Sequence, residues 1–195
     1  MLKKKSASVG TQELVKIYQC PSDVTLKVGQ AAEKIALGDF GSYGANGQVF
    51  GAPTTIPKTT TVSALNEKGG MVIPRDIPDG TSNTIFFTEK LAYCIGGVLG
   101  TGDTRWGDDG TGSHSPFVGN HGAVKNAGLS PNLVPEFNII NPTLCSFWQP
   151  SSSHTGVIIA GLGDGSVRNI SSGISTTTFN IAMIPDEGLP LGPDW

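Results

Sequence analysis

The chain has 195 residues, a net charge of −3 and a charged fraction of only 15%. A chain of this length can bury a substantial core within one domain. The 27 glycines and 13 prolines favour turns, so short strands joined by long loops are expected. The thirteen Lys and Arg residues are dispersed and form no patch interleaved with aromatics, which argues against nucleic acid as a partner.

The first residues are predicted to form a tail. The basic run Lys3–Lys5 is not followed by an apolar stretch of about 18 residues, the length needed to span a bilayer. We therefore expect residues 1–10 to be a disordered or linker tail and residues 11–195 to form one globular domain. The protein is expected either to be cytoplasmic or to lack its export and anchoring segment.

Three cysteines, Cys20, Cys94 and Cys145, are widely spaced along the chain. They form no Cys-X-X-Cys pair and no Cys/His cluster, which argues against a structural zinc site. One disulfide with one free thiol is expected in an oxidising compartment, and three buried thiols are expected elsewhere. The spacing of the cysteines does not distinguish between these two states.

The N-terminal half is predicted to contain few regular elements. Residues Glu13–Cys20 favour β-structure and stop at a proline, which predicts a strand. Ala31–Leu37 has helical potential and ends at a glycine. In Gly38–Gly51 aromatics alternate with glycines, which is typical of a strand or a tight turn and not of a helix. Residues 52–71, rich in Thr, Pro and Lys, are predicted to form a surface loop.

The second half contains the clearest strand signals. Pro78–Leu91 begins with an Asp-Gly turn and then enters a buried strand, TIFFTEK. Residues 100–145 are predicted to be irregular. Val157–Ala160 and Ser166–Ile170 are rich in β-branched residues, and the Gly-Asp-Gly turn between them predicts a hairpin.

A helix is predicted over Ile174–Ile184. Ser175 is its predicted N-cap, and a proline ends it. Its apolar residues Phe179, Ala182 and Met183 recur at the spacing of one helix face. Together these elements predict an α+β domain, mostly antiparallel β-sheet, with long loops and few short helices.

The hairpin carries a histidine, nine residues and then Asp-Gly: His154, Asp164 and Gly165. A hydrolase would use His154 with Asp164 or Asp79 as a base and its orienting acid. No Gly-X-Ser-X-Gly elbow is present, and Asp164 is suited to cap its own turn. We therefore interpret the stretch as a structural hairpin and predict no catalytic residue.

A second polar group precedes the TIFFTEK strand. Asp79, Ser82 and Asn83 are short polar residues that hydrogen-bond to local backbone, so they predict a structured turn. Glu89, at the end of that strand, is expected to pair with a base or to cap a loop. Contact of these residues with a ligand is the alternative interpretation.

Two further groups of residues are candidate ligand sites. Asp103, Asp108 and Asp109 form an oxygen-rich loop that is a weak calcium candidate, but their spacing does not match an EF-hand. A solvated acidic loop is the default, so no cofactor is expected. Trp106 and Trp148 offer stacking faces for a glycan, whereas the competing interpretation places them in the core.

Four stretches in order resemble a single family. They are YQCPSD (Tyr18–Asp23), GSYGANGQVFG (Gly41–Gly51), IPDGTSNTIFFTEK (Ile77–Lys90) and SSHTGVIIAGLGDGSVRNI (Ser152–Ile170), with IPDEG (Ile184–Gly188) as a weak echo of a closing segment. The chain resembles the large planctomycete-type family of unknown function that has prepilin-like N-termini and a C-terminal H-X9-DG element. His154 and Asp164-Gly165 match that element.

The resemblance implies an extracytoplasmic pilin-like or pseudopilin-like protein, located in the periplasm, at the cell surface or outside the cell. Other pilin-like subunits or surface components are the implied partners. Complete members carry an apolar N-terminal helix that anchors them in the membrane. No such helix follows Lys3–Lys5, so we expect an excised domain or a member without its anchor, and membrane contact only through that helix.

These observations lead to one expected function and one alternative. We expect a non-enzymatic structural or surface-interaction protein. The alternative is an extracellular module that binds glycans or small solutes.

Overall fold

The structure is a computed structural model that describes residues 15–33, 40–50, 71–95, 101–104, 117–118 and 133–195. The strands in these ranges are β1 (Tyr43–Asn46), β2 (Ile85–Glu89), β3 (Tyr93–Ile95), β4 (Thr101–Asp103), β5 (Phe117–Val118), β6 (Val157–Leu162) and β7 (Val167–Ser171). The helices are α1 (Leu26–Glu33), α2 (Gly47–Phe50) and α3 (Thr176–Met183), with 3₁₀ turns at Lys16–Tyr18 and Pro142–Leu144. The predicted α+β class, with mostly β-structure and few short helices, is confirmed.

The main sheet has the strand order β5-β1-β2-β6-β7, and β3 pairs with β4 in a separate two-stranded sheet. The pairs β1–β2, β2–β6 and β6–β7 are antiparallel, and β1–β5 is parallel. We call the end of the main sheet where β2 stops and β1 and β6 begin the lower end. The opposite end, where β6 turns into β7, is the upper end.

Helix α3 packs against the sheet through the predicted apolar face. Phe179, Ala182 and Met183 are fully buried. Ser175 caps the helix, since its Oγ accepts a hydrogen bond from the Thr178 amide at 3.1 Å. Full burial of a large apolar side chain contributes roughly 1.5–3 kcal/mol to the stability of the folded state. The predicted helix, its cap and its buried face are therefore confirmed. The cluster around them contains Ile85, Val118, Leu133, Ile158, Ala160, Leu162 and Ile170.

A second core lies around a disulfide bond. Cys94 and Cys145 are bonded, with their Cα atoms 5.5 Å apart, and Cys20 is a buried free thiol. The bond joins β3 to the chain just after the second 3₁₀ turn. It packs with Leu91, Ile139 and Phe147. Of the two cysteine states that the sequence left open, the structure has one disulfide and one free thiol.

The predicted N-terminal strand is wrong. In the described part of Glu13–Cys20 the chain forms the 3₁₀ turn Lys16–Tyr18 instead. High β-propensity reflects packing on a pleated, half-buried surface. Here the Ile17 side chain is 80% exposed, so it does not pack on such a surface.

Two other boundaries differ from the prediction. Helix α1 begins at Leu26, five residues before the predicted start, where Asp23 Oδ1 accepts the Thr25 amide just ahead of the helix. The segment predicted as strand or turn contains β1 followed by the short helix α2. Asn46 Oδ1 accepts the Gln48 amide and so supports this change of direction.

The hairpin and the strand before it are confirmed. Strand β2 occupies Ile85–Glu89, and β6 pairs with β7 around the predicted Gly-Asp-Gly turn. The predicted tail at residues 1–10 and all but the last residue of the predicted loop at 52–71 lie outside the described residues. None of the helices in the described ranges is long and apolar enough to cross a membrane.

Candidate functional site

Three side chains with metal-binding and acid–base chemistry meet at the lower end of the sheet. Cys20 Sγ lies 3.6 Å from His154 Nε2, although 134 residues separate them in sequence. The same nitrogen lies 3.1 Å from Glu89 Oε1. One ligand atom from each residue lies within 4.8 Å of the other two. We call these three residues the Cys–Glu–His cluster.

The sheet positions the carboxylate of this cluster. Glu89 is the last residue of β2 and is only 3% exposed. Its Oε2 atom accepts the Ile159 amide of β6 at 2.9 Å, which leaves Oε1 for His154. Tyr43, the first residue of β1, is the cross-strand partner of Glu89. The carboxylate is therefore held at a fixed place by two neighbouring strands.

Loops hold the other two members of the cluster. The His154 amide donates to Ser152 Oγ at 3.0 Å, and the His154 carbonyl accepts the Asn138 amide at 3.1 Å. Burial raises the pKa of the Cys20 thiol, and the negative charges of Glu89 and Asp23 raise it further. The amides of Ser22 and Asp23 lower the pKa of Cys20, because they donate to the sulfur and stabilise the thiolate.

Tyr43 lies beside the cluster. Burial raises the pKa of its phenol, and the neighbouring Cys20 adds to this both through its charge and through a hydrogen bond. The phenol oxygen is therefore a fourth polar group close to the thiol.

Asp23, in the YQCPSD stretch, fixes the backbone around the cluster. Its Oδ1 atom accepts both the amide and the hydroxyl of Thr25, at 2.8 Å and 2.7 Å. Its Oδ2 atom accepts the Ser42 hydroxyl at 2.7 Å and the Ala92 amide at 2.9 Å. Because the side chain is buried and makes four hydrogen bonds, Asp23 ties three separate chain segments together.

The Asp-Gly turn of the predicted hairpin lies at the upper end, at the other end of β6 from His154. Asp164 Oδ1 accepts the amide and the hydroxyl of Ser166, at 2.9 Å and 2.6 Å, and these bonds lower the pKa of the exposed Asp164 carboxyl. Gly165 has a φ of +88°, which suits glycine. The six residues of β6 span about 20 Å at roughly 3.3 Å per residue, so Asp164 and His154 are not partners.

The Asp79 turn also lies at the upper end. Asp79 Oδ2 and Oδ1 accept the amides of Glu187 and Gly188, each at 3.0 Å, and Gly188 has a φ of +71°. The Asn83 side chain donates to the Asp79 carbonyl at 2.9 Å, and Ser82 is exposed. The motif residues are therefore divided between the two ends of the sheet.

A cleft of about 720 Å³ lies beside this turn. Asp79, Asn83, Ile181 and Trp195 line it together with the segment 188–193. Arg168 lies over the Trp195 ring, with Cζ 4.6 Å from the ring centroid. One face of this aromatic ring is thus already covered by a cation.

The other predicted ligand residues are only partly described. Trp148 is half-buried and packs edge-on against Phe147, with ring centroids 5.3 Å apart. Asp103 is buried at the end of β4. Burial lowers the pKa of the fully buried Lys90 to about 7, against the charge of Asp103, which raises it. Trp106, Asp108 and Asp109 lie outside the described residues.

The sequence interpretation missed the partnership of Cys20 with His154. The sequence predicts one disulfide with a free thiol or three buried thiols, without a Cys/His cluster along the chain, and it assigns His154 only to the structural hairpin. The available signal was that Cys20, Glu89 and His154 each belong to one of the four family-like stretches. Reactive side chains in separate motifs are candidates for one site, but only the sheet topology shows that the three meet.

Comparisons with curated proteins and with solved structures find no match. The family model described as "Protein of unknown function (DUF1559)" matches residues 2–177. The sequence motifs predicted a family of unknown function, and at that level the prediction is confirmed. Because the match spans most of the 195 residues, the chain belongs to this family of unknown function.

Proposed function

We propose that the protein is a non-enzymatic, extracytoplasmic pilin-like protein with a structural or surface-interaction role. The observation that carries the proposal is the disulfide between Cys94 and Cys145, both of which are buried. Disulfides form and persist in the periplasm, at cell surfaces and in secreted proteins, and they are rare in the cytosol. A buried disulfide in the second core therefore supports an oxidising compartment.

The use of the acidic motif residues supports a structural role. Asp79 binds two backbone amides with its two oxygens, and Asp164 caps its own turn. Asp23 makes four hydrogen bonds within the fold. A catalytic acid or base must face a substrate, whereas these carboxylates face backbone and hydroxyl donors of their own chain. The proposal accordingly assigns no catalytic residue and no calcium.

Exposed apolar side chains support contact with other subunits or surface components. Val15, Ile17 and Tyr18 are 42%, 80% and 43% exposed at the first 3₁₀ turn. Ile140 and Leu144 are 70% and 58% exposed near the disulfide. Protein interfaces bury such side chains in their centres. We propose pilin-like subunits as partners, with membrane contact only through an N-terminal apolar helix and without nucleic acid.

Localisation and crosslinking in the native cells test this proposal. The tagged full chain should fractionate outside the cytoplasm, and Cys94 and Cys145 should resist alkylation until a reductant is added. Crosslinking on intact cells should recover other pilin-like subunits. A cytoplasmic protein with all three thiols reduced would contradict the location, and a protein that crosslinks to no subunit would contradict the role.

Binding of a small solute is the alternative function, and the cleft beside Asp79 favours it. Its volume of about 720 Å³ lies within the range of ligand pockets. A thermal-shift screen with mono- and oligosaccharides tests this alternative. A stabilising hit that is lost in Ile181→Trp, which would fill the cleft, supports it. No hit across the panel would remove it.

A further inference from the structure

The Cys–Glu–His cluster has the arrangement of a ligand set and not that of a catalytic relay. In a thiol–imidazole–carboxylate triad, the nucleophile and the acid face different nitrogens of the histidine, so that a proton passes through the ring. Here Cys20 Sγ and Glu89 Oε1 both lie closest to Nε2 of His154. The three donor atoms therefore lie within 4.8 Å of one another, as ligand atoms around an ion do.

Two of the distances within the cluster fit a tetrahedral ion. Zinc bonds of about 2.3 Å to sulfur and about 2.0 Å to nitrogen or oxygen place tetrahedral sulfur and nitrogen about 3.6 Å apart, and nitrogen and oxygen about 3.3 Å apart. The corresponding separations are 3.6 Å for Cys20 and His154, and 3.1 Å for His154 and Glu89. These two separations thus agree with a tetrahedral ion to within about 0.2 Å, and the ligand atoms of Cys20 and Glu89 lie within 4.8 Å of each other.

Charge also favours a divalent cation at this place. A thiolate and a carboxylate carry two negative charges, and a neutral imidazole adds none, so one divalent ion neutralises the set. Cys20 and Glu89 are buried, at 7% and 3% exposure, where an uncompensated pair of anions is costly. The His154 side chain is 31% exposed and gives the ion a route from solvent.

Groups around the cluster hold the ligands in place. The Ile159 amide binds the second oxygen of Glu89, and the amides of Ser22 and Asp23 donate to the sulfur. Such outer contacts fix ligand orientation in metal sites. The Tyr43 phenol forms a hydrogen bond with the Cys20 sulfur and so also contacts the ligand set.

We propose that Cys20, Glu89 and His154 form a binding site for a zinc-like divalent transition-metal ion. A thiolate and an imidazole favour zinc over calcium or magnesium, which prefer sets made of oxygen alone. When the ion binds, the Cys20 S–H bond breaks, the proton passes to solvent and a metal–sulfur bond forms. The site links the N-terminal segment to β2 and to the loop before β6, so the ion crosslinks three parts of the fold.

Metal titration of the untagged full chain with its disulfide intact tests the proposal. After removal of metal with a chelator, Zn²⁺ should bind with a stoichiometry of one in competition with a chromophoric chelator. Co²⁺ should give a thiolate-to-metal charge-transfer band and the intense visible bands of a tetrahedral site. Excess Ca²⁺ or Mg²⁺ should not displace either ion.

Ligand variants show whether the ion uses these residues. Cys20→Ser, Glu89→Gln and His154→Gln should each weaken Zn²⁺ binding by more than about 100-fold, since even changes to outer contacts cost 10–100-fold. Cys20→Ser should also remove the charge-transfer band. Asp164→Asn, at the opposite end of β6, is the matched control and should bind as the wild type does.

Protection of the free thiol gives a readout that needs no variant. Cys20 is the one cysteine outside the disulfide, so alkylation of the native protein reports on it alone. Zn²⁺ should slow this alkylation by more than about 10-fold if it occupies the thiolate. Three results would each overturn the proposal. They are no binding at micromolar Zn²⁺, binding by all three variants that is as tight as that of the wild type, and alkylation that Zn²⁺ does not slow.

Discussion

At the scale of single residues, buried amide and carboxylate side chains replace backbone partners that the short strands cannot supply. Asn46 is the clearest example. Its Nδ2 group donates to the carbonyls of Ile85 and Met183, both at 2.7 Å, and its Oδ1 atom accepts the Gln48 amide at 2.9 Å. One fully buried side chain therefore joins β1, β2, α2 and the end of α3.

Asn46→Asp should destabilise the fold strongly. The carboxylate still accepts the Gln48 amide, but it donates nothing to the carbonyls of Ile85 and Met183 and places a charge among them. Leaving buried groups unsatisfied costs 1–3 kcal/mol each, so we expect a loss of roughly 3 kcal/mol or more in the free energy of unfolding. Urea denaturation measures it. Asn169→Asp, the same change at an exposed position of β7, should shift that free energy by less than about 0.5 kcal/mol; equal losses in both variants would contradict the role of Asn46.

Glu136 makes stability depend on pH. Burial raises its pKa from 4.5 to about 7, although its Oε2 atom accepts the Ser146 amide at 2.9 Å. The folded state thus holds a proton that the unfolded state releases. The free energy of unfolding should therefore fall as pH rises from about 4.5 to about 7, by roughly 2–3 kcal/mol from this group.

Glu136→Gln isolates this contribution. Glutamine retains an oxygen for the Ser146 amide and does not titrate. When the free energy of unfolding is measured across this pH range, it should change less with pH for the variant than for the wild type. The variant should exceed the wild type in stability by the largest amount at pH 7 and above. Parallel curves for the two proteins would show that Glu136 ionises freely in the folded state.

At the scale of elements, β6 explains the spacing between the histidine and the Asp-Gly turn. The nine intervening residues contain the whole strand, which carries the chain from the lower end of the sheet to the upper end. His154 then belongs to the Cys–Glu–His cluster, and Asp164 closes the turn at the far end. The spacing thus reflects the length of a strand and not the contact of two residues.

The glycine just after β6 is required by close packing. A Cβ on Gly163 would lie 2.5 Å from the Phe86 ring and 3.0 Å from the Thr81 carbonyl oxygen. Phe86 is buried and cannot swing away, so Gly163→Ala should cost roughly 1–3 kcal/mol. A Cβ on Gly161, two residues earlier, would make an ordinary contact of 3.8 Å with Phe87. Thermal unfolding of the two alanine variants should therefore differ, with Gly161→Ala close to the wild type, and a tolerated Gly163→Ala would contradict the packing.

Local signals explain which elements could be predicted. The hairpin and α3 carry their own turn, cap and apolar pattern, so sequence alone located both. The chain around Ile17 has β-branched residues but pairs with no strand among the described residues, so its β-propensity misled the prediction. The Cys–Glu–His cluster was not predicted, for a different reason. The contact of Cys20 with His154 depends on the pairing of β1, β2 and β6, and no local pattern encodes that pairing.

At the scale of the whole molecule, the main sheet separates two groups of motif residues. The lower end carries the Cys–Glu–His cluster and the Asp23 network. The upper end carries the Asp164 turn and the Asp79 turn, which hydrogen-bond to each other's segments through Asp164 N and the Thr81 carbonyl at 3.1 Å. Changes at one end should therefore affect the other end only through global stability.

The disulfide is the covalent feature that acts on the whole molecule. It closes a chain segment with a sequence separation of 51 residues, and β4 and β5 lie within this segment. By the chain-entropy relation, a loop of this length stabilises the fold by about 4 kcal/mol. The double variant Cys94→Ala/Cys145→Ala should lose roughly 2–5 kcal/mol in the free energy of unfolding, measured by urea denaturation under non-reducing conditions.

A reductant provides the internal control for this loss. Dithiothreitol should lower the stability of the wild type towards that of the double variant and should leave the double variant unchanged, since no bond remains to be reduced. The fold should then be markedly less stable when it is made in a reducing compartment. A wild type whose urea midpoint does not respond to the reductant would show that the bond contributes nothing to stability, and would remove the main support for an extracytoplasmic role.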